Sequence, residues 1–208
     1  MRLPRNAILL LIALAAFSVV VACSSDDDEV APTAAPAATS TPEPVDEDRT
    51  IKIGLLSPET GPIAQFAPGF ADASSVAMEE LNAEYPGFQF ELITVDSGCD
   101  GTQAATAAQS LVDAGVSVIV GAACSGATLG AIAVTAPAGI PMVSYASTSP
   151  AITTADDDGY LFRIVPSDAQ QAVALTDVLS SAGVSNPAVL AMTNDYGAGL
   201  GDNFASNW

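Results

Sequence analysis

The sequence predicts an α/β fold, a parallel sheet with helices on both faces. Three observations carry that prediction. From Ile51 onward, strand-like and helix-like patterns alternate. The strand-like runs are apolar nearly throughout rather than at every second residue, as in strands buried on both faces. Loops rich in Gly, Pro and Ser separate the two kinds of segment, which is how successive β-α-β crossovers read.

Taken in order, Ile51 to Leu56 reads as a buried strand, followed by a Pro/Gly loop from Ser57 to Gly69. Phe70, Ala73, Ala77 and Leu81 then recur at helical spacing, and Asn82 to Gly87 ends that helix. Gln89 to Val95 is a second strand, Gly101 to Ala114 a helix stopped by Gly115, and Val116 to Val120 a third strand. Gly126 to Ala138 reads as a helix weakened near Pro137, and Met142 to Ser144 as a short fourth strand. Leu161 to Val165 is extended. Ser167 caps the next helix, with Gln170 placed for a capping box and Gly183 at its end. Pro187 to Met192 is predicted as one more strand, with a helix beginning near Gly199 and running to Trp208.

The amino-terminal stretch has a different character. Arg2 and Arg5 precede an apolar run from Ala7 to Ala22 that only Ser18 interrupts, and Val20-Val21-Ala22 leads directly to Cys23. A charged head, an apolar middle and a small residue before a cut form a secretory signal. A cysteine immediately after it matches a bacterial lipobox, in which the thiol is acylated and becomes the new amino terminus. The run is short of the ~20 apolar residues that a spanning helix needs. Residues 1–22 are therefore expected to be a lipoprotein signal peptide. Residues 23–50 are expected to be a tether, acidic at both ends and rich in Pro, Ala and Thr between. Having almost no large apolar side chain, such a segment cannot offset its own ordering entropy.

Removal of the signal leaves Arg49, Lys52 and Arg163 against 24 acidic residues. So negative a chain repels nucleic acid and anionic headgroups, so nucleic acid is not an expected partner. With Cys23 assigned to the lipid, Cys99 and Cys124 remain, able to form one disulfide in an oxidising compartment. The alternative is a pair of buried free thiols. A bond closing that loop would stabilise the fold by roughly 3 kcal/mol.

In parallel sheets the ligand crevice lies beyond the carboxyl ends of the strands. There the sequence places Gly61, Pro62 and Phe66, then Asp96 to Asp100, then Cys124-Ser125-Gly126, then Tyr145 to Pro150, and finally Asn194 to Gly197. Ser125 would open a helix whose free amides favour an anion such as a carboxylate. Thr148 could reach the same ligand, and Tyr196 could supply an aromatic wall. Each also has a plainer reading: an N-cap for Ser125, turn chemistry for Tyr145 to Pro150, loop anchors for Tyr196 and Phe66.

Enzyme readings find little support. The chain has no histidine, so no Ser-His-Asp triad can form from it. Ala123-Cys124-Ser125-Gly126-Ala127 lacks the glycine spacing of a nucleophile elbow. Lys52 is the sole lysine and falls in a strand, which excludes a Walker loop. Gly197, Gly199 and Gly201 miss the dinucleotide fingerprint, and Asp156-Asp157-Asp158-Gly159 misses the EF-hand spacing. Neither a cofactor nor a metal is expected.

From Ile51 to Trp208 the chain resembles the amino-terminal half of a type I periplasmic solute-binding protein. It is nearest to the leucine/isoleucine/valine-binding proteins of branched-chain amino-acid ABC transporters. The motifs that carry the resemblance are Ile51-Lys52-Ile53-Gly54, Gly61 to Gln65, Asp96 with Cys99-Asp100, and Gln103-Ala104. They continue in Val120-Gly121, Cys124-Ser125, Ala146 to Pro150, Phe162-Arg163 and Asp195-Tyr196-Gly197.

The resemblance implies that Ser125 and Thr148 bind the α-carboxylate and α-ammonium of an amino acid, helped by backbone groups at Ala146. It implies that Tyr196 closes over the ligand from a second lobe and that Phe66 lines the side-chain pocket. It places a ligand-binding lobe at 51–165 and the start of a second lobe at 166–208. The family's acidic partner for the ammonium lies further along that lobe than Trp208, so the 208 residues alone are expected to bind weakly or not at all. Ser-Gly-Ala-Thr after Cys124 departs from the family pattern and could loosen the pocket. The implied role is an extracytoplasmic lipoprotein, anchored in the cell membrane, that delivers a branched-chain amino acid or similar ligand to ABC permease subunits. A receptor on the same fold that senses amides or amino acids without transport is the other expectation.

Overall fold

The computed structural model describes residues 49–208. The signal peptide, Cys23 and the tether up to Asp48 lie outside the described residues. A five-stranded parallel sheet organises the rest: β1 (Thr50–Ser57), β2 (Gln89–Asp96), β3 (Val118–Val120), β4 (Met142–Ser144) and β5 (Leu161–Arg163), in the order β2-β1-β3-β4-β5. β1 pairs with β2 along its whole length, from Thr50 opposite Gln89 to Ser57 opposite Asp96, and with β3 through Ile53 to Leu55.

Helix α1 (Ala67–Glu84) links β1 to β2, α2 (Gly101–Asp113) links β2 to β3, and α3 (Ser125–Thr135) links β3 to β4. The chain reverses its direction across the sheet after β2. Right-handed crossovers then put α1 on one face and α2 and α3 on the other. The main core agrees with this: Ala104, Ala107, Ala108 and Leu111 of α2 and Ala127, Ala131 and Ile132 of α3 pack on Leu56, Ile119 and Met142, with no residue of α1 among them. Small residues bring α2 and α3 together, since a Cβ on Gly130 would stand 2.7 Å from Gly101 Cα. Gly121, at φ 132°, leaves β3 in a conformation that few L-residues adopt, and a Cβ there would meet Leu56 Cβ at 2.7 Å.

After β5 come α4 (Asp168–Ser181) and α5 (Asp195–Asn207). Ser167 caps α4 by accepting from Ala169 N at 3.3 Å. Two expectations are corrected here. Pro187 to Met192 is not a strand: among the described residues no strand lies beside it to complete a ladder, and Leu190 stands fully open to solvent. The last helix begins at Asp195 rather than Gly199, because Asn194 caps it by accepting from Gly197 N at 2.8 Å. Smaller shifts have equally local causes. β3 starts at Val118 because Val116 N still bonds back to Leu111 O, and α3 ends at Thr135, just short of Pro137. β5 ends at Arg163 rather than Val165. Among the described residues no helix is long and apolar enough to cross a membrane.

Candidate functional site

The loops at the carboxyl ends of β1 to β4 form a continuous hydrogen-bonded rim. Ser57 O accepts from Ser97 N at 2.7 Å and from Ser97 Oγ at 3.0 Å, which joins the ends of β1 and β2. Asp96 accepts from Thr60 Oγ1 at 2.6 Å, Gly98 N at 2.8 Å, Gln103 Nε2 at 2.9 Å and Thr60 N at 3.1 Å. Burial alone would raise the Asp96 carboxyl, but these donors hold it below its ordinary value. Cys99 and Cys124 form a disulfide with Cα atoms 5.2 Å apart, tying the loop after β2 to the loop after β3.

Ser125 is the first residue of α3 and is 2% exposed. Cys124, at the N-cap, offers no side-chain acceptor, so the first-turn amides of α3 are left open. Ser125 Oγ accepts from Ser149 N at 3.2 Å. Its own hydroxyl hydrogen therefore remains free to donate.

Buried hydroxyls fix the loop after β4. Ser144 Oγ donates to Ala122 O at 2.8 Å and accepts from Ser147 N at 3.0 Å, while Ser147 Oγ meets Thr128 Oγ1 at 2.7 Å. Arg163 Nη1 donates to Thr148 O and Ser149 O at 3.2 and 2.9 Å, and its Nη2 reaches Thr153 Oγ1. Thr148 Oγ1 donates to Asp168 Oδ2 at 2.7 Å. Half-buried Ala146 takes part in none of these bonds, so its carbonyl is an available acceptor.

Tyr145 anchors the rim from behind. Its hydroxyl donates to Leu56 O at 3.1 Å and its ring packs on Phe70 with centroids 4.8 Å apart. Burial, with the Glu59 carboxylate adding to it, pushes the phenol well above its ordinary value.

The structure thus brings Ser125, Ala146 and Thr148 together, through Ser149 and the chain between them. The two aromatics make none of these hydrogen bonds and are exposed. Phe66 sits on a single 3₁₀ turn after β1, more than half exposed. Tyr196 lines an open apolar groove of about 370 Å³ formed by Leu175, Leu179, Leu190, Leu200 and Phe204. Two carboxylates also stand here, of which Asp168 was not anticipated in the sequence. Asp168 is 1% exposed beneath Thr148, and Asp195 stands so close to Gly126 that a Cβ there would lie 2.6 Å from Oδ2. Both are first-turn acids of helices, and for Asp168 that is the only local signal. Asp157 accepts from Gly159 N at 2.9 Å, so the Asp-rich run makes a turn, and among the described residues no group of three His, Cys, Asp or Glu is placed to hold a metal.

This parallel sheet, with its polar loops on the carboxyl rim, matches the type I periplasmic-binding-protein fold. The chain belongs to the periplasmic binding protein family, whose model matches residues 50–208. A leucine-, isoleucine-, valine-, threonine- and alanine-binding protein of Pseudomonas aeruginosa is 35% identical over 126 residues, covering 59% of this chain and 33% of that protein. The Leu/Ile/Val-binding protein of Escherichia coli is 27% identical over 155 residues, covering 72% and 41%. An ABC transporter substrate-binding protein from Desulfitobacterium hafniense, solved in complex with Leu, superposes with a TM-score of 0.65 at 28% identity, covering 76% of this chain and 47% of that one. A branched-chain amino acid transporter substrate-binding protein from Streptococcus pneumoniae, in complex with isoleucine, gives 0.64 at 28% identity, with the same coverage. The chain spans less than half the length of each of these proteins.

Proposed function

We propose that the protein is an extracytoplasmic receptor for a branched-chain amino acid or similar small amphipathic ligand, which it delivers to an ABC permease. One observation carries the reading: Ser125, joined through Ser149 N to the loop that holds Thr148, keeps a hydrogen to donate, while Thr148 gives its own hydrogen away and is left with acceptors. Ser125 and the open first turn of α3 supply donors and a positive dipole end, suited to a carboxylate. Thr148 Oγ1 and Ala146 O supply acceptors, suited to an ammonium. A zwitterion satisfies both. The relatives named above support the ligand class by what their names state.

In this reading residues 51–165 form the ligand-binding lobe and 166–208 begin a second lobe. Tyr196 and Phe66 reach the ligand's side chain only when the lobes close. Cys23 carries the lipid that holds the receptor at the membrane surface, and residues 23–50 are the tether.

The test is a thermal-shift screen of the protein encoded by the complete reading frame, starting at Thr50. The panel holds leucine, isoleucine, valine, polar amino acids, short amides and urea. A ligand at a thousand times its Kd adds about 4 kcal/mol of stability. Shifts confined to aliphatic amino acids, and lost in Ser125→Ala, are expected. Shifts with amides or urea alone, or none at all, would contradict the reading.

A further inference from the structure

We propose that Asp168 sets the polarity of the binding site by holding the Thr148 hydroxyl as an acceptor-only group toward the ligand. This rests on the reading of Thr148 as a ligand contact. A threonine hydroxyl has one hydrogen to give and two lone pairs to receive with. Thr148 Oγ1 gives that hydrogen to Asp168 Oδ2 at 2.7 Å. Asp168 N donates in return to Thr148 O at 2.8 Å, so two bonds lock the pair.

Asp168 is 1% exposed, which keeps water from competing for its carboxylate. Thr148 is only half-buried, so the lone pairs left on Oγ1 remain within a ligand's reach. Arg163, the nearest cation along the chain, spends its guanidinium on Thr148 O, Ser149 O and Thr153 Oγ1, and leaves the Thr148 hydroxyl to Asp168. At Ser125 the direction is reversed. There Ser149 N donates inward and the hydroxyl hydrogen stays free. The two hydroxyls therefore carry opposite polarity, each set by a neighbour. A ligand must bring a donor to Thr148 and an acceptor to Ser125, and Asp168 is the positioning residue for the first requirement.

Asp168 Oδ1 lies buried with no hydrogen-bond partner, and this gives the proposal a sharp probe. In Asp168→Asn, an amide nitrogen placed at the Oδ1 position would be a buried donor without an acceptor. Placed at the Oδ2 position, it can donate to Thr148 Oγ1. The variant therefore reverses the bond, and the Thr148 hydrogen turns toward the ligand. An ammonium then meets a donor, whereas a keto oxygen meets a partner.

The experiment is calorimetric titration of leucine and of 4-methyl-2-oxopentanoate, which carries a keto oxygen in place of the ammonium, into the protein encoded by the complete reading frame. Wild type is expected to prefer leucine. Asp168→Asn should narrow that preference by roughly tenfold or more, the scale of one hydrogen bond to a charged group. Leucine should weaken while the keto acid holds or improves. Equal weakening of both compounds, or an unchanged ratio, overturns the proposal, because a purely structural role would weaken both alike.

Thr148→Val keeps the size of the side chain, removes the hydroxyl and leaves Asp168 in place. It too must narrow the ratio, and adding Asp168→Asn to it must narrow it no further. If Asp168→Asn does not fold, the Thr148→Val arm decides alone, and an unchanged ratio there overturns the proposal. Wild type that binds neither compound overturns the receptor reading and this inference with it. Wild type that binds leucine with a ratio indifferent to both variants overturns the inference only.

Discussion

Asp96 accepts four hydrogen bonds from three residues, and together they hold the loops after β1 and β2 against each other. Its carboxyl sits below 3.8 in the folded protein, so the ionised form is the one these bonds stabilise. The sign follows from linkage. The stabilisation is complete above 3.8 and is lost as pH falls through the lower folded-state value. Melting temperatures of wild type and Asp96→Asn should differ by a constant amount from neutrality down to about pH 5, then converge in stronger acid. A difference that grows on acidification would show that the carboxylate is not what these donors hold. At this scale the placements of Ser125 and Thr148 were legible, because a serine opening a helix and a polar loop after a buried strand announce themselves locally. Asp168 was not. Its partner lies 20 residues away, and only folding brings the two together.

Among the elements, β1, β2, β4 and the first helices followed their patterns closely, since continuous apolar runs and helical spacing are set by burial in the sheet. Pro187 to Met192 has the same apolar texture, yet a strand exists only beside another strand. No strand among the described residues lies beside it, and no local pattern could reveal that. The start of α5 was missed for a different reason: Asn194 is a cap of ordinary strength that the three following glycines obscured. Gly199 has its own explanation, since a Cβ there would meet Pro150 Cδ at 2.9 Å and Ser149 Oγ at 3.0 Å. α5 thus packs directly on the loop that carries Thr148. The disulfide is the other link between elements. It spans 25 residues and ties the loop before α2 to the loop before α3. Replacing Cys99 and Cys124 by serine should cost about 3 kcal/mol in the chain-entropy account. That corresponds to a fall of roughly 10 °C in Tm by scanning calorimetry. A fall of a degree or less would mean that the rim's hydrogen bonds hold the loops without it.

Across the whole molecule, the proposed reading assigns the charged-end chemistry to the first lobe, while Phe66 and Tyr196 stand open. Phe66 is 56% exposed and Tyr196 39% exposed, the latter against an apolar groove that no described residue fills. The chain spans 47% of each of the two solved relatives named above, and in the proposed reading the complete receptor gains its affinity on closure. We therefore expect the first lobe to choose the ligand by its charged ends, with closure adding the side-chain contacts. The most direct test is calorimetric titration of the protein encoded by the complete reading frame with leucine, with leucinamide, which lacks the carboxylate, and with 4-methylpentanoate, which lacks the ammonium. Saturable binding of leucine, with at least roughly tenfold weaker binding of each of the other two, is the predicted result. Comparable binding of either analogue would contradict the account, because one of the two charged ends would then have no partner on the rim.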